Sequence, residues 1–130
     1  MKRRTYLKTM LAGAAASTAA PAQNAQRPIV LHLDMSVDPK REKEMLANYE
    51  KQFKPTVSKQ PGFIDIKILK LRSTLAGKAP AGINYRFQLT FQSEEMRQKW
   101  IKTDDHQRVW PLLENTLTTK DYQVLLWDAY

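Results

Sequence analysis

The chain of 130 residues contains no cysteine. This absence excludes disulfide bonds, catalysis by a thiolate and metal sites with cysteine ligands. The domain that remains after the N-terminal segment described below has about 105 residues, near the lower end of what a hydrophobic core stabilises alone. Association with a second copy would therefore add stability.

The sequence also lacks a long uninterrupted apolar run and a block of like charges. A membrane-spanning helix needs about 20 predominantly apolar residues, whereas glycine, serine, threonine and proline interrupt the run between residues 9 and 21. The basic residues are spread along the chain, without the run of about five or six that is typical of a nucleic-acid-binding tail. We therefore expect no stable membrane anchor and no nucleic-acid partner.

Residues 1–25 have the composition of an export signal. A charged start precedes an alanine-rich run, and Ala20-Pro21-Ala22 fits the small-x-small pattern of a signal peptidase site. The segment from Arg3 to Lys8 resembles the twin-arginine consensus Arg-Arg-x-Phe-Leu-Lys. We expect a signal peptide that is cleaved after Ala22 or Ala25 and carried by the twin-arginine translocase of a bacterium, so that the mature protein is periplasmic or secreted. The alternatives are an N-terminal membrane anchor and a disordered basic tail.

Part of the positive charge belongs to this segment. The whole chain has a formal net charge of +8 at pH 7, and residues 1–25 contain four basic residues and no acidic one. Cleavage would lower the charge to +4. The basic character of the chain is therefore a weak argument for an acidic partner.

The hydrophobic pattern of residues 26–130 switches between a period of two and a period of 3.6, which predicts one domain of alternating strands and helices. We predict strands over residues 29–37, 63–72, 84–91 and 122–128, a helix from Pro39 to about Lys54 or Ser58, and a second helical region from Glu94 to Leu117 that is interrupted at Thr103–His106. The order β-α-β-β-α-β is the split βαβ unit of the ferredoxin-like α+β class. Its helices cover one face of a four-stranded antiparallel sheet and leave the other face in need of a partner.

Individual residues refine this prediction. Asp38 before Pro39, and Ser93 before Glu94 and Glu95, have the side chains expected of helix N-caps. The last predicted strand is apolar on both faces, so we expect both of its faces to be buried.

Three short motifs resemble those of the antibiotic biosynthesis monooxygenase-like family of the dimeric α+β barrel superfamily. They are Lys59-Gln60-Pro61-Gly62-Phe63, then the strand Phe87–Phe91 leading into Ser93-Glu94-Glu95, and then Trp100-x-x-Thr103-Asp104-Asp105-His106. The resemblance implies a homodimer whose sheets lie face to face, with a cavity for a small-molecule ligand at the sheet face. It further implies a cofactor-free oxygenase, in which the carbanion of an electron-rich aromatic substrate reacts with oxygen.

The strands place a set of polar side chains on the face that such a dimer would bury. They are His32, Asp34, Ser36, Asp65, Lys67, Arg86, Gln88 and Thr90. One interpretation is a ligand cavity with an ionisable floor, in which Asp34 and Arg86 are catalytic and His32 and Gln88 contact the substrate. The other is that His32, Asp34 and Arg86 merely bond one another across the dimer interface.

His106 and two tryptophans are the candidates in the helical region. In the family that the third motif resembles, the histidine lies at the edge of the cavity, where an imidazole with a pKa near 6.5 can transfer a proton. The alternative is a structural histidine at a helix start. Trp100 and Trp110 are candidate walls for an aromatic ligand, although helical spacing from Met96 also favours a core position for Trp100.

The remaining site chemistry is sparse. No ligand spacing along the sequence supports a metal, and a site of His32, Asp34 and His106 would require the fold to bring them together. Haem is disfavoured by comparison with the haem-degrading branch of the superfamily, whose histidine lies further along the helix than His106 does. Two classes of function stay open: a monooxygenase of a small aromatic or quinol-like compound, and a non-catalytic ligand-binding or stress-associated barrel.

Overall fold

A computed structural model describes residues 27–130. The predicted signal peptide, residues 1–25, lies outside this range, as does Gln26. The strands are β1 (Ile29–Met35), β2 (Phe63–Lys70), β3 (Tyr85–Phe91) and β4 (Gln123–Asp128), and the α-helices are α1 (Glu42–Asn48), α2 (Lys54–Val57), α3 (Glu94–Ile101) and α4 (Asp104–Glu114). Within residues 27–130, no helix combines the length and the apolar character needed to cross a bilayer.

The four strands form one antiparallel sheet in the order β2-β3-β1-β4, as the ferredoxin-like prediction requires. The apolar positions of β1 and β3, including Leu31, Leu33, Phe87 and Leu89, face the helices, because side chains alternate between the faces of a strand. The ferredoxin-like α+β fold is thereby confirmed.

The first helical region is less regular than its sequence suggests. Asp38 caps it as predicted, since its carboxylate accepts a hydrogen bond from the Lys40 backbone N–H at 2.9 Å. A 3₁₀ turn (Pro39–Arg41) then leads into α1, and a π-helical segment (Tyr49–Phe53) separates α1 from α2. Pro55 accounts for the π-helical segment, because its ring would clash with the carbonyl four residues earlier in a regular α-helix.

The second helical region has the predicted interruption. Ser93 caps α3 by accepting from the Met96 N–H at 3.2 Å. Thr103 caps α4 by accepting from the His106 N–H at 3.1 Å. The break between α3 and α4 therefore places Trp100 and His106 side by side.

Three strand predictions need correction. β2 ends at Lys70 rather than Arg72. β1 ends at Met35 rather than Val37, because the backbone of Val37 bonds to the Asn84 side chain instead of a neighbouring strand. β4 is exposed along its whole length and not buried on both faces. It is an edge strand, so within one chain the helices cover its apolar side chains only in part.

Gly62 fixes the turn into β2, and its replacement gives a clear stability prediction. It has φ +84, and an added Cβ would lie 2.7 Å from the Cβ and Cγ of Met96. Gly62→Ala is expected to lower the free energy of unfolding by about 3 kcal/mol, from backbone strain and overpacking together. Urea unfolding monitored by tryptophan fluorescence measures the change.

Gly77→Ala is the matched control. Gly77 has φ +71, but nothing lies within 4 Å of its added Cβ. We expect only the backbone cost of about 1 kcal/mol there. Equal losses of unfolding free energy in the two variants would show that contact with Met96 contributes nothing to the effect of Gly62→Ala.

Candidate active site between the helices and the sheet

The predicted site residues lie on opposite sides of the sheet. Trp100, His106 and Trp110 line a cavity between the helices and the sheet. His32, Asp34, Arg86 and Gln88 belong to the strand positions that face away from the helices. A single pocket that joins His106 to a floor of Asp34 or Arg86 is therefore wrong, because the sheet itself separates them.

The cavity has a volume of about 190 Å³. An apolar cavity of about 150 Å³ is enough to hold benzene. We call this space the helix–sheet cavity; it is lined by Leu31, Leu33, Phe53, Phe87, Leu89, Arg97, Trp100, Ile101, His106, Trp110, Tyr122 and Val124. Its size and composition fit a single aromatic ring.

His106 is held in the first turn of α4, with its ring against the end of α3. The ring meets that of Trp100 edge-on, with a centroid distance of 5.0 Å and an interplanar angle of 85°. Its Nδ1 is buried and has no hydrogen-bond partner among the described residues. Burial, together with the positive charge of Arg97, lowers the pKa of His106. At neutral pH the ring is therefore an uncharged potential proton acceptor.

Arg97 is the charged residue that the sequence prediction missed. Its side chain is 16% exposed and donates twice to the Glu94 carboxylate, at 2.6 Å and 2.7 Å. That pairing lowers the pKa of Glu94, chiefly through the hydrogen bonds from Arg97. The signal available in the sequence was the Glu94/Arg97 spacing of three on a predicted helix. Arg97 contributes a fixed cation to the wall of the cavity.

Five of the ten other residues that line the cavity are aromatic. Trp100 is 2% exposed and occupies a core position, while it also lines the cavity. Phe53, which the π-helical segment carries, meets Phe87 and Trp100 edge-on at 5.2 Å and 5.9 Å. Trp110 therefore lines the cavity as predicted. Phe53 lines it as well, although the sequence did not predict it as a wall residue.

Tyr122 is a second polar group that the sequence prediction omitted. Its hydroxyl donates to Glu114 Oε2 at 2.7 Å, and its ring lies 5.8 Å from that of Trp110. Burial, and then the bond to Glu114, raise the pKa of Tyr122. The phenol is thus protonated at neutral pH and already engaged.

The polar groups on the other face of the sheet bond one another. Both oxygens of Asp34, a residue only 4% exposed, accept from Arg86, at 2.7 Å and 3.0 Å. His32 Nε2 bonds to Gln88 Oε1 at 2.9 Å. Ser36 lies beyond the end of β1 and donates to the Gly82 carbonyl. These bonds form within one chain, whereas the second interpretation placed them across the dimer interface.

The two sides differ in the chemistry that they offer. The helix–sheet cavity combines an uncharged imidazole and a guanidinium with apolar walls, which suits a ring that carries a hydroxyl. Across residues 27–130, no three histidine, cysteine, aspartate or glutamate side chains gather into a group that could hold a metal ion. His32 and Asp34 in particular are separated from His106 by the sheet.

Comparison with known families gives one match. A family model described as a domain of unknown function (DUF4286) matches residues 28–109. No curated protein matches the chain. The matched region contains β1 to β3, the helices through most of α4, and His106.

Solved structures share the architecture at low identity. A Caulobacter crescentus CB15 protein provisionally classed as an antibiotic biosynthesis monooxygenase is 15% identical, with a TM-score of 0.64 over 84% of this chain and 95% of its own. A variant of SnoaB, a cofactor-independent oxygenase from Streptomyces nogalater, is 12% identical, with a TM-score of 0.62 over 79% and 93%. A dimeric ferredoxin-like protein of unknown function from Jannaschia sp. CCS1 is 13% identical, with a TM-score of 0.63 over 79% and 98%. At these identities the similarity establishes the fold alone.

Proposed function

This chain belongs to the family described as a domain of unknown function (DUF4286), and we propose that it is an exported, cofactor-independent monooxygenase of a small aromatic or quinol-like substrate. The observation that carries the proposal is the helix–sheet cavity, where an uncharged imidazole and a guanidinium share apolar walls that fit one ring. The fold that the chain shares with SnoaB supports the same reaction class.

The residues of the cavity suggest a division of roles. His106 accepts the proton of a ring hydroxyl, because its uncharged ring is half-buried and lines the cavity. Arg97 then stabilises the resulting anion in a site of low dielectric. The aromatic walls, including Trp100 and Trp110, orient the ring. Asp34, Arg86, His32 and Gln88 lie outside this cavity and have no part in the reaction as proposed.

The reaction balances without an added reductant. A phenol or quinol with a free ring C–H reacts with one O₂; one oxygen atom enters the ring as a carbonyl and the other leaves as water. The substrate itself supplies the four electrons, and the hydroxyl proton and ring hydrogen that it loses form the water. An electron-rich ring anion is the species that donates most readily to oxygen, which is why the proton acceptor matters.

Oxygen uptake by purified protein tests this activity. A panel of single-ring phenols and quinols is incubated with the protein in an oxygen electrode, in the presence of a chelator and without added cofactor. We expect at least one compound to consume one O₂ for each quinone formed, without release of hydrogen peroxide and faster than its autoxidation. Ring compounds that bind, with no uptake above autoxidation for any, would overturn the oxygenase proposal and leave a binding protein.

A non-catalytic ligand-binding barrel is the second candidate. The observation in its favour is that Glu94 already neutralises Arg97 through two hydrogen bonds. A neutralised guanidinium stabilises a substrate anion less than a free one does. The oxygen electrode separates the two candidates.

The assembly that we propose is a homodimer. The sheet positions away from the helices are here called the open face: Val30, His32, Asp34, Asp65, Lys67, Leu69, Arg86, Gln88, Thr90, Gln123, Leu125 and Trp127. Its apolar members are partly exposed, while its ionic pairs Asp34–Arg86 and Asp65–Lys67 are internally neutral. A second copy presenting the same face would bury apolar surface without leaving a buried charge unpaired.

Export is proposed from the sequence of residues 1–25. Replacing both Arg3 and Arg4 with lysine keeps the charge of the segment but removes the paired arginines of the twin-arginine pattern. We expect the precursor of this variant to accumulate inside the cell, while the unmodified protein appears outside it in the processed form. Immunoblotting of cell fractions measures the ratio, and unchanged export would contradict a twin-arginine route.

A further inference from the structure

A second cavity lies beneath the loop between β2 and β3, away from the helix–sheet cavity. Its volume is about 520 Å³, and small-molecule sites typically have about 300–1,000 Å³. Residues of the loop and of the adjoining strand ends line it, and Asp34 and Arg86 are among them. We call it the loop cavity; the proposed oxygenase reaction does not use it.

The charged side chains of the loop cavity are predominantly positive. Lys70, Arg72, Lys78 and Arg86 line it, against the single carboxylate of Asp34. Arg86 neutralises that carboxylate by donating to both of its oxygens. A cationic ligand would thus find no free carboxylate in this cavity, whereas an anionic ligand would find basic side chains to pair with.

Two of the four cations are already engaged, and two are not. Arg86 is bound to Asp34, and Lys70 Nζ lies 2.6 Å from Glu42 Oε2. In the part of the chain that the structure describes, neither Arg72 nor Lys78 forms a salt bridge. Arg72 and Lys78 are therefore the groups that an anionic ligand would pair with, while the Asp34 bond fixes the guanidinium of Arg86 beside them.

Apart from these charges and from Ser73 and Thr74, the residues that line the loop cavity are mainly apolar. Leu71 and Leu75, which lie outside the open face, line it and are well exposed. A small inorganic anion would satisfy the cations but leave these leucines in water. An anion with an apolar body would cover them, which is favourable because the apolar surface is removed from water.

We propose that the loop cavity binds an amphipathic monoanion, a carboxylate joined to an apolar chain or ring. Arg72 and Lys78 pair with the carboxylate, and the leucines contact the apolar part. This site is independent of the helix–sheet cavity, and it rests neither on the oxygenase reaction nor on its substrate.

Calorimetric titration of the purified protein with hexanoate tests the site. We expect one hexanoate per chain. The double variant Arg72→Gln/Lys78→Gln should bind at least ~10-fold more weakly, because it loses two charge-assisted contacts. The same variant of two exposed lysines outside the cavity, Lys102→Gln/Lys120→Gln, is the charge-matched control and should bind as the unmodified protein does.

Further ligands test which chemical groups the site requires, and one more variant tests where the ligand binds. Benzoate should also bind, whereas hexan-1-ol, which lacks the charge, and inorganic phosphate, which lacks the apolar body, should each bind at least ~10-fold more weakly than hexanoate. Equal binding of hexanol or phosphate would overturn the proposal, as would an equal loss in the lysine control. Loss of hexanoate binding in His106→Gln would place the ligand in the helix–sheet cavity and would equally overturn it.

Discussion

Replacing His106 with glutamine is expected to reduce the turnover of any substrate found in the oxygen electrode by roughly 10² to 10⁴, the range for losing a general base. Glutamine keeps a polar side chain of similar length but accepts no proton. The fold should survive, because Thr103 caps α4 through the backbone N–H of residue 106, which any side chain leaves in place. Initial rates and a melting curve on the same preparation measure both effects.

His32→Gln is the control for this experiment. The chain has two histidines, and both rings have a buried Nδ1 without a partner among the described residues. They lie on opposite sides of the sheet, so we expect His32→Gln to leave the rate within about twofold. If His106→Gln lowered the melting temperature but not the rate, His106 would be a structural residue, with a loss of about 1 kcal/mol.

The pH dependence of the rate follows from the same residue. Burial and the charge of Arg97 lower the pKa of His106 below its ordinary value near 6.5. A rate that needs the uncharged ring therefore rises as the pH increases through this lowered pKa and is at its plateau by neutral pH. The same shift contributes stability that is present above about pH 6.5 and is lost as the pH falls through the folded pKa. His106→Gln should remove both dependences.

Leu125→Glu is expected to dissociate the proposed homodimer. Leu125 lies on the open face, paired with His32 in the sheet, and is 37% exposed in the single chain. A second copy on this face would enclose the new carboxylate without a cation of its own, which should weaken association by at least ~10² in Kd. Light scattering over a concentration series measures the shift from dimer to monomer.

Leu126→Glu is the matched control, since Leu126 is the next residue of β4 and is 46% exposed but points to the other face of the sheet. It should leave the dimer intact. A monomeric unmodified protein at micromolar concentration would contradict the dimer, and equal dissociation by both variants would show that the interface is not the open face.

The sequence was sufficient to predict the fold and which side chains of a strand lie on the same face. The period of two in β1 and β3 placed Leu31, Leu33, Phe87 and Leu89 together, and the caps at Ser93 and Asp38 marked the helix starts. Alternation shows which residues share a face, but not which face a given helical residue meets. The apolar stripe of the helices packs onto the apolar face of the sheet, so His106 faces Leu33 and Phe87 rather than Asp34.

Other features depended on topology rather than on local pattern. A strand that is apolar on both faces is typical of a central strand, yet the order β2-β3-β1-β4 places β4 at an edge. Pro55 was visible in the sequence, but the π-helical segment that accommodates it, and that brings Phe53 into the cavity wall, was not predicted. Arg97 was overlooked because its pairing with Glu94 is also typical of a solvated helix surface.

The central claim is that a small aromatic compound binds in the helix–sheet cavity, against His106. Long-range ¹H–¹⁵N correlation spectra of the two imidazoles test it most directly, with benzene-1,4-diol titrated under nitrogen so that no oxidation occurs. We expect the ring nitrogens of His106 to shift saturably while those of His32, across the sheet, do not move. A shift of His32 with His106 unchanged, or no shift of either ring at saturating diol, would contradict the account.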